Sequence, residues 1–190
     1  MRTDHRKPGD YLISTWSGGT TRQLVIGPPE ARYAERDFLF RISSATVDLE
    51  ESDFTLLPDY ERHLCVLEGS LRLLPQGGAE TRLAPYAVYR FDGGVPIHAV
   101  GRCVDFNLMV RKGAGQGSLT ALQEARETRF TLNEKKAVAF YCAKGRARVM
   151  CQGEGLDLMR EETGLYCGAQ AYLLITPEPG SVVLAAEVQT

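Results

Sequence analysis

Residues 61–73, "ERHLCVLEGSLRL", decide how the rest of the chain is read. A short apolar run, Leu64 to Leu67, is flanked by polar residues, Gly69 breaks the segment, and Leu71 and Leu73 alternate with Arg72. That is a strand, a tight glycine turn and a second strand. Outward from this hairpin the pattern repeats. "FLFRISSATVDL" (38–49), "YAVYRF" (86–91), "VDFNLMV" (104–110), "AVAFYCA" (137–143), "RARVMC" (146–151), "AYLLI" (171–175) and "SVVLAAEV" (181–188) are short β-branched or aromatic runs. Gly, Pro, Asp and Asn separate them at close, even spacing, so the expected fold class is all-β, a sandwich, barrel or jelly roll with little helix. One segment, "SLTALQEAR" (118–126), places Leu119, Leu122 and Ala125 at helical spacing and is expected to form a helix.

Composition narrows the function classes. The 190 residues carry a formal charge of -2, with 44% apolar and 24% charged residues. That fits a globular domain, or two small ones, with a real core. There is no basic excess to engage nucleic acid or an anionic membrane, and no apolar run long enough for a membrane helix. The N-terminal "MRTDHRKPGDYL" is polar and lacks the apolar stretch of a signal peptide. The five cysteines (65, 103, 142, 151, 167) are widely spaced with no CxxC pair, and are expected to be reduced, buried thiols in a cytoplasmic protein.

The glycine-rich "RKGAGQGS" (111–118) reads as a linker, and a repeat runs across it. With a shift of 76 positions, "SDFTLLPDYERHLCVLEGSLRLLPQG" (52–77) lies over "TRFTLNEKKAVAFYCAKGRARVMCQG" (128–153), with seven of 26 positions identical and the turn glycine shared. "DFNLM" (105–109) then lies over "SVVLA" (181–185). The expected organisation is two copies of one β unit, 1–112 and 113–190.

A duplicated β unit with a "VLEG" hairpin resembles a cupin jelly roll, and the whole chain a bicupin of two jelly-roll barrels. The order "WSGGTTRQL" (16–24), "FRISSATVDLEESDFTLLPDYERHLCVLEG" (40–69), "YRFDGG" (89–94), "DFNLMVRKG" (105–113) resembles the HutD/Ves family more particularly. The resemblance implies a bacterial protein of histidine utilisation or stress response, without established catalytic activity. It also implies a small ligand such as formiminoglutamate or formylglutamate in the first cupin. The sequence departs from the family's "W-x-N-G-G-G-T-T-R-E" segment: the Asn is missing and Gln23 stands where Glu is common.

Strand phase assigns the chemistry. Arg62, Leu64, Val66 and Glu68 share one face; His63, Cys65 and Leu67 share the other. Metal cupins carry a glutamate ligand at the place held here by Arg62, and "TLLPDY" (55–60) upstream contains no histidine. A guanidinium has no lone pair for a metal but forms two parallel charge-assisted hydrogen bonds with a carboxylate. Arg62 is therefore the expected anion anchor, and no cofactor or metal is expected. Arg41 and Ser43 share a face of their strand. Arg41 is either a second carboxylate contact or a solvated edge residue. Asn107 either meets a ligand amide or formyl group or satisfies buried backbone. Trp16 and Thr21 flank Gly18–Gly19, which forms either a closing loop over the barrel or an ordinary turn. His98 is a candidate for the pocket or an exposed loop histidine, and His5 lies near a terminus expected to be flexible. Val138 aligns with Arg62, so no matching site is expected in the second half.

The reading is a small-carboxylate-binding, metal-free protein, with Arg62, Arg41, Asn107, Ser43, Thr21 and Trp16 as ligand-binding residues and a homodimer as the expected assembly. Two alternatives stay open: a metal-dependent cupin oxygenase or isomerase using His63 or His98, and a protein-interaction scaffold with no ligand.

Overall fold

A computed structural model describes residues 1–190. The chain divides into two compact units, Leu12–Gly117 and Met1–Tyr11 with Ser118–Thr190. The expected cut at 112/113 thus lies five residues early, and the first eleven residues group with the C-terminal unit. They do so because strand β1 (Arg2–Arg6) pairs antiparallel along the whole of β17 (Thr163–Cys167). His5 sits in that strand, with Nε2 2.9 Å from Glu162 Oε2, rather than in a loose terminus.

The N-terminal unit contains β2 (Leu12–Trp16), β3 (Gly19–Gly27), β4 (Phe40–Val47), β5 (Glu51–Asp53), β6 (Tyr60–Gly69), β7 (Leu71–Pro75), β8 (Thr81–Leu83), β9 (Val88–Asp92), β10 (Ile97–Val100) and β11 (Cys103–Arg111). These form a six-stranded sheet of order β2-β3-β4-β11-β6-β9 and a four-stranded sheet of order β5-β10-β7-β8. The C-terminal unit contains, besides β1, β12 (Gln116–Leu122), β13 (Thr128–Leu132), β14 (Lys136–Lys144), β15 (Arg146–Cys151), β16 (Glu154–Met159), β17, β18 (Ala171–Pro177) and β19 (Val182–Gln189). Its sheets run β1-β17-β14-β19-β12 and β13-β18-β15-β16. Strand for strand, β4 to β11 in the first unit and β12 to β19 in the second share one order. The only helical element is a single 3-10 turn, Pro8–Asp10, so the expected all-β class holds.

The helix expected over 118–126 does not form. Residues 116–122 are β12, the strand that closes one edge of the sheet beside β19. Leu119 is buried and Leu122 packs against the core from this extended conformation. A short segment of weak helical periodicity yields to the free hydrogen-bonding edge of its neighbour, which a helix would leave unpaired.

Alternation sets the core. Leu64 and Val66 on β6, Leu71 and Leu73 on β7, Leu83, Phe91, Ile97, Ala99 and Cys103 form one buried cluster between the two sheets of the N-terminal unit. Each large side chain so buried contributes about 1.5–3 kcal/mol. A second cluster comprises Ala31, Phe38, Leu57, Tyr60 and Met109. A bulge corrects the expected phase at the end of β6. Asp105 pairs with Val66 and Val104 with Glu68, so Leu67 is the extra residue. Glu68 is consequently exposed instead of sharing the inner face of Val66. All five cysteines are free, and four of them are buried.

Candidate functional site

The inner face of the six-stranded sheet carries a lattice of polar side chains in register. Met109 of β11 lies opposite Arg41 of β4 and Arg62 of β6; Asn107 opposite Ser43 and Leu64; Asp105 opposite Ala45 and Val66. Thr21 of β3 pairs with Ala45. These rungs form the floor of a cavity of about 420 Å³, inside the usual range of small-molecule sites. Its walls come from Ser14, Thr15 and Trp16 of β2, Tyr33 of the loop before β4, and residues 52–55 in and after β5. The two apolar clusters bracket this space, and Val47 and Met109 belong both to a cluster and to the wall.

Two guanidinium groups dominate. Arg62 is 6% exposed and Arg41 5%, yet neither is in an ion pair. Arg62 lies between the rings of Phe54 and Phe91, at 5.1 and 5.0 Å from their centroids. It reaches only the Thr55 carbonyl, at 3.4 Å, and its buried Nε has no partner. Burial brings its pKa down to about 10, against the pull of Asp105. Arg41 donates from Nε to Gln23 Oε1 at 2.9 Å and from a terminal nitrogen to Ser43 Oγ at 3.2 Å. It stacks on Tyr33 at 4.2 Å, while Arg36 covers the same ring at 4.1 Å. Burial lowers the Arg41 pKa as well. Gln23 gives Arg41 a hydrogen bond without a neutralising charge.

Two acceptors complete the floor. Asn107 is buried and its Oδ1 has no donor. Asp105, two residues earlier on the same face, is equally buried; its carboxyl is pushed up to about 7 by desolvation, despite Arg62 and the Ala45 amide. A polar group so placed, without a partner, costs on the order of 1–3 kcal/mol.

All six side chains expected from the sequence, Arg62, Arg41, Asn107, Ser43, Thr21 and Trp16, line this one cavity. The Arg41 alternative of a solvated edge is removed by its burial. Trp16 reaches the wall because Gly18 has no side chain: a Cβ there would sit 2.0 Å from the indole ring. Gly19 is needed for a second reason, since its φ is +152° and a Cβ would meet the Thr46 carbonyl at 1.9 Å. Sequence reasoning missed Asp105, Tyr33 and Phe54. Asp105 had a signal, its phase with Asn107; Tyr33 sits in a loop with no periodicity to place it.

The histidines lie elsewhere. His63 is buried on the opposite face of β6, 3.1 Å from Glu61, and burial holds its pKa below the ordinary value. His98 stands on strand β10, not in a loop; it is half-buried and bonds Asp53 at 2.9 Å, which raises its pKa. No three His, Cys, Asp or Glu side chains cluster as metal ligands do. The thiols of Cys65 and Cys103 are pushed up to about 12 by burial, so neither is a nucleophile at neutral pH.

A family model described as HutD matches residues 9–184. No curated protein matches. Among solved structures, a conserved protein of unknown function from Pseudomonas aeruginosa PAO1, PA5104, is 22% identical over 100% of both chains, with a TM-score of 0.88. HutD from Pseudomonas fluorescens SBW25 is 22% identical over 100% of both chains, at 0.79. The Escherichia coli pirin YhhW, solved with nickel(II), is 11% identical over 99% of both chains, at 0.70. At these identities the likeness shows the fold, which is that of the cupins. No helix is long and apolar enough to cross a membrane.

Proposed function

We propose, since the chain belongs to the HutD family, that its N-terminal cavity binds a small carboxylate of the formiminoglutamate or formylglutamate kind without a metal, and that occupancy modulates histidine utilisation. The observation that carries this reading is Arg62: a buried, permanently charged guanidinium with an unpartnered Nε, aimed into a cavity. A protein interior does not hold such a group cheaply; an anionic guest supplies what the fold withholds. A carboxylate meets the guanidinium fork with two parallel bonds. Arg41, on β4 across the intervening β11, receives a second carboxylate of the same ligand, as a glutamate skeleton carries. The side chains facing the cavity include two guanidinium groups, two carboxylates and no histidine, so the imidazole ligands that metal cupins use are missing.

Calorimetric titration of the wild type and Arg62→Ala with formiminoglutamate and formylglutamate tests the reading. The variant should lose about 2 kcal/mol or more, roughly thirtyfold in Kd. Equal affinities refute the site. Stoichiometric iron, zinc or manganese in untagged protein favours the metal-enzyme reading instead.

A further inference from the structure

The cavity is not only cationic; it is sorted. Arg62 and Arg41 meet at the Met109 rung, and the acceptors Asn107 and Asp105 occupy the next two rungs of β11. Alternate residues of a strand stand about 7 Å apart, so the acceptors run away from the cations in a line along the floor. Neither acceptor is fully matched. Asn107 Oδ1 has no donor at all. Asp105 takes the Ala45 amide and feels the charge of Arg62, but the two side chains form no ion pair. A carboxylate seated on Arg62 would satisfy that charge and leave Asp105 more exposed electrostatically than before.

We infer that Asp105 selects the far end of the ligand: the cavity takes an acid bearing a hydrogen-bond-donating nitrogen, and it prefers a cationic nitrogen, such as an amidinium, to a neutral amide. The inference rests on the reading that Arg62 and Arg41 hold the ligand's carboxylates. A glutamate skeleton anchored there directs its nitrogen substituent along the floor, past Asn107 Oδ1 towards Asp105. An N–H gives Asn107 its missing donor. A second N–H carrying positive charge neutralises Asp105 in a site where no water is needed. A ligand with no nitrogen leaves Asn107 Oδ1 without a donor and Asp105 with the Ala45 amide alone, the arrangement by which a built polar site rejects an analogue most strongly.

The charged and titratable groups around Asp105 are Arg62 on β6, Arg41 on β4, Asp53 on β5, Tyr33 in the loop before β4, and the thiols of Cys65 and Cys103. Among the shifted groups of this set, the Asp105 carboxyl is the one moved to about 7, while the thiols stand at about 12 and Arg62 at about 10.

The test is calorimetric titration of the wild type and Asp105→Asn at pH 8 with glutarate, N-formylglutamate and formiminoglutamate. These share a skeleton and carry no nitrogen, a neutral amide and a cationic formimino group in turn. The wild type should bind formiminoglutamate tightest and glutarate weakest, by tenfold or more across the series. Asp105→Asn should weaken formiminoglutamate at least tenfold and leave N-formylglutamate within about threefold. A variant that changes all three ligands alike overturns the inference, as does a wild type that binds glutarate as well as the nitrogen ligands. Binding of none of the three overturns the carboxylate reading itself, and the inference with it. The wild type alone gives an independent readout should the variant misfold. Its affinity for formiminoglutamate should rise from pH 5 to pH 8 relative to that for N-formylglutamate, and parallel profiles count against Asp105.

Discussion

Arg62, Asn107 and Asp105 face the interior of the N-terminal unit, and register identifies the residues on the same rungs of the C-terminal unit. Arg62 pairs with Met109 as Val138 pairs with Glu187; Leu64 with Asn107 as Phe140 with Ala185; Val66 with Asp105 as Cys142 with Val183. The polar trio is thus replaced by Val138, Ala185 and Val183. All three are buried in a continuous apolar cluster with Phe130, Phe140, Leu132, Tyr166 and Leu173. One strand order supports either a cavity or a solid core, and the choice lies in a few inward side chains. In the second unit Phe140 meets Phe130 of the facing sheet and Tyr166 of the adjoining strand edge to face, at 5.1 and 6.1 Å. In the first, Leu64 holds the position of Phe140, so the central ring is absent, and Arg62 lies between the two remaining rings, Phe54 and Phe91.

This comparison is broken most severely by exchanging the decisive residue in the direction the fold resists. Val138→Arg puts a guanidinium into a core with no cavity and no partner, and should cost on the order of 4–5 kcal/mol or more. Chemical denaturation checks it, and a near-neutral result would mean that the C-terminal core holds latent space. The reverse exchange, Arg62→Met, should separate stability from function. Carboxylate affinity falls by about 3 kcal/mol, some hundredfold, while the melting temperature holds or rises, because a poorly solvated charge is replaced by an apolar chain of similar length. A large loss of stability would instead make Arg62 a structural residue.

The next prediction concerns pH. Asp105 has a folded pKa raised from 3.8 to about 7, so the native state binds more protons than the unfolded state between those values. Its contribution to stability is therefore greatest at acid pH and declines as pH rises towards 7, with a slope of up to about 1.4 kcal/mol per unit. Asp105→Asn should remove that slope, gaining on the wild type as pH rises from 4 to 7 in parallel unfolding titrations. The smallest effect belongs to His98. Its hydrogen bond to Asp53 raises its pKa, so any stabilisation is present below the unfolded pKa and lost as pH rises through the folded one. His98→Gln should lower the melting temperature slightly at pH 5 and leave it unchanged at pH 8.

The hairpin at 61–73 carried much of this in its letters. A strand's period of two puts Arg62 and His63 on opposite faces, and the faces are as expected. The phase broke at Leu67, where a bulge adds a residue, because a bulge answers to the twist of the partner strand and leaves no periodic mark on its own. The segment 118–126 misled for a related reason: its local spacing matches a helix, and only the open edge of β19 makes it a strand.

The sequence by itself determined the all-β class, which side chains share a face with Arg62, Arg41 and Asn107, and the substitution of Val138 for Arg62, since a strand's period of two fixes which side chains share a face. Only the tertiary structure decided that six strands and two loops converge on one cavity and that Arg62 Nε and Asn107 Oδ1 lack partners there. It alone brought Asp105, Tyr33 and Phe54 to the same walls and carried the first strand to the second unit. Those are contacts between residues far apart in the chain, and burial, pairing and pKa depend on what is nearby in space.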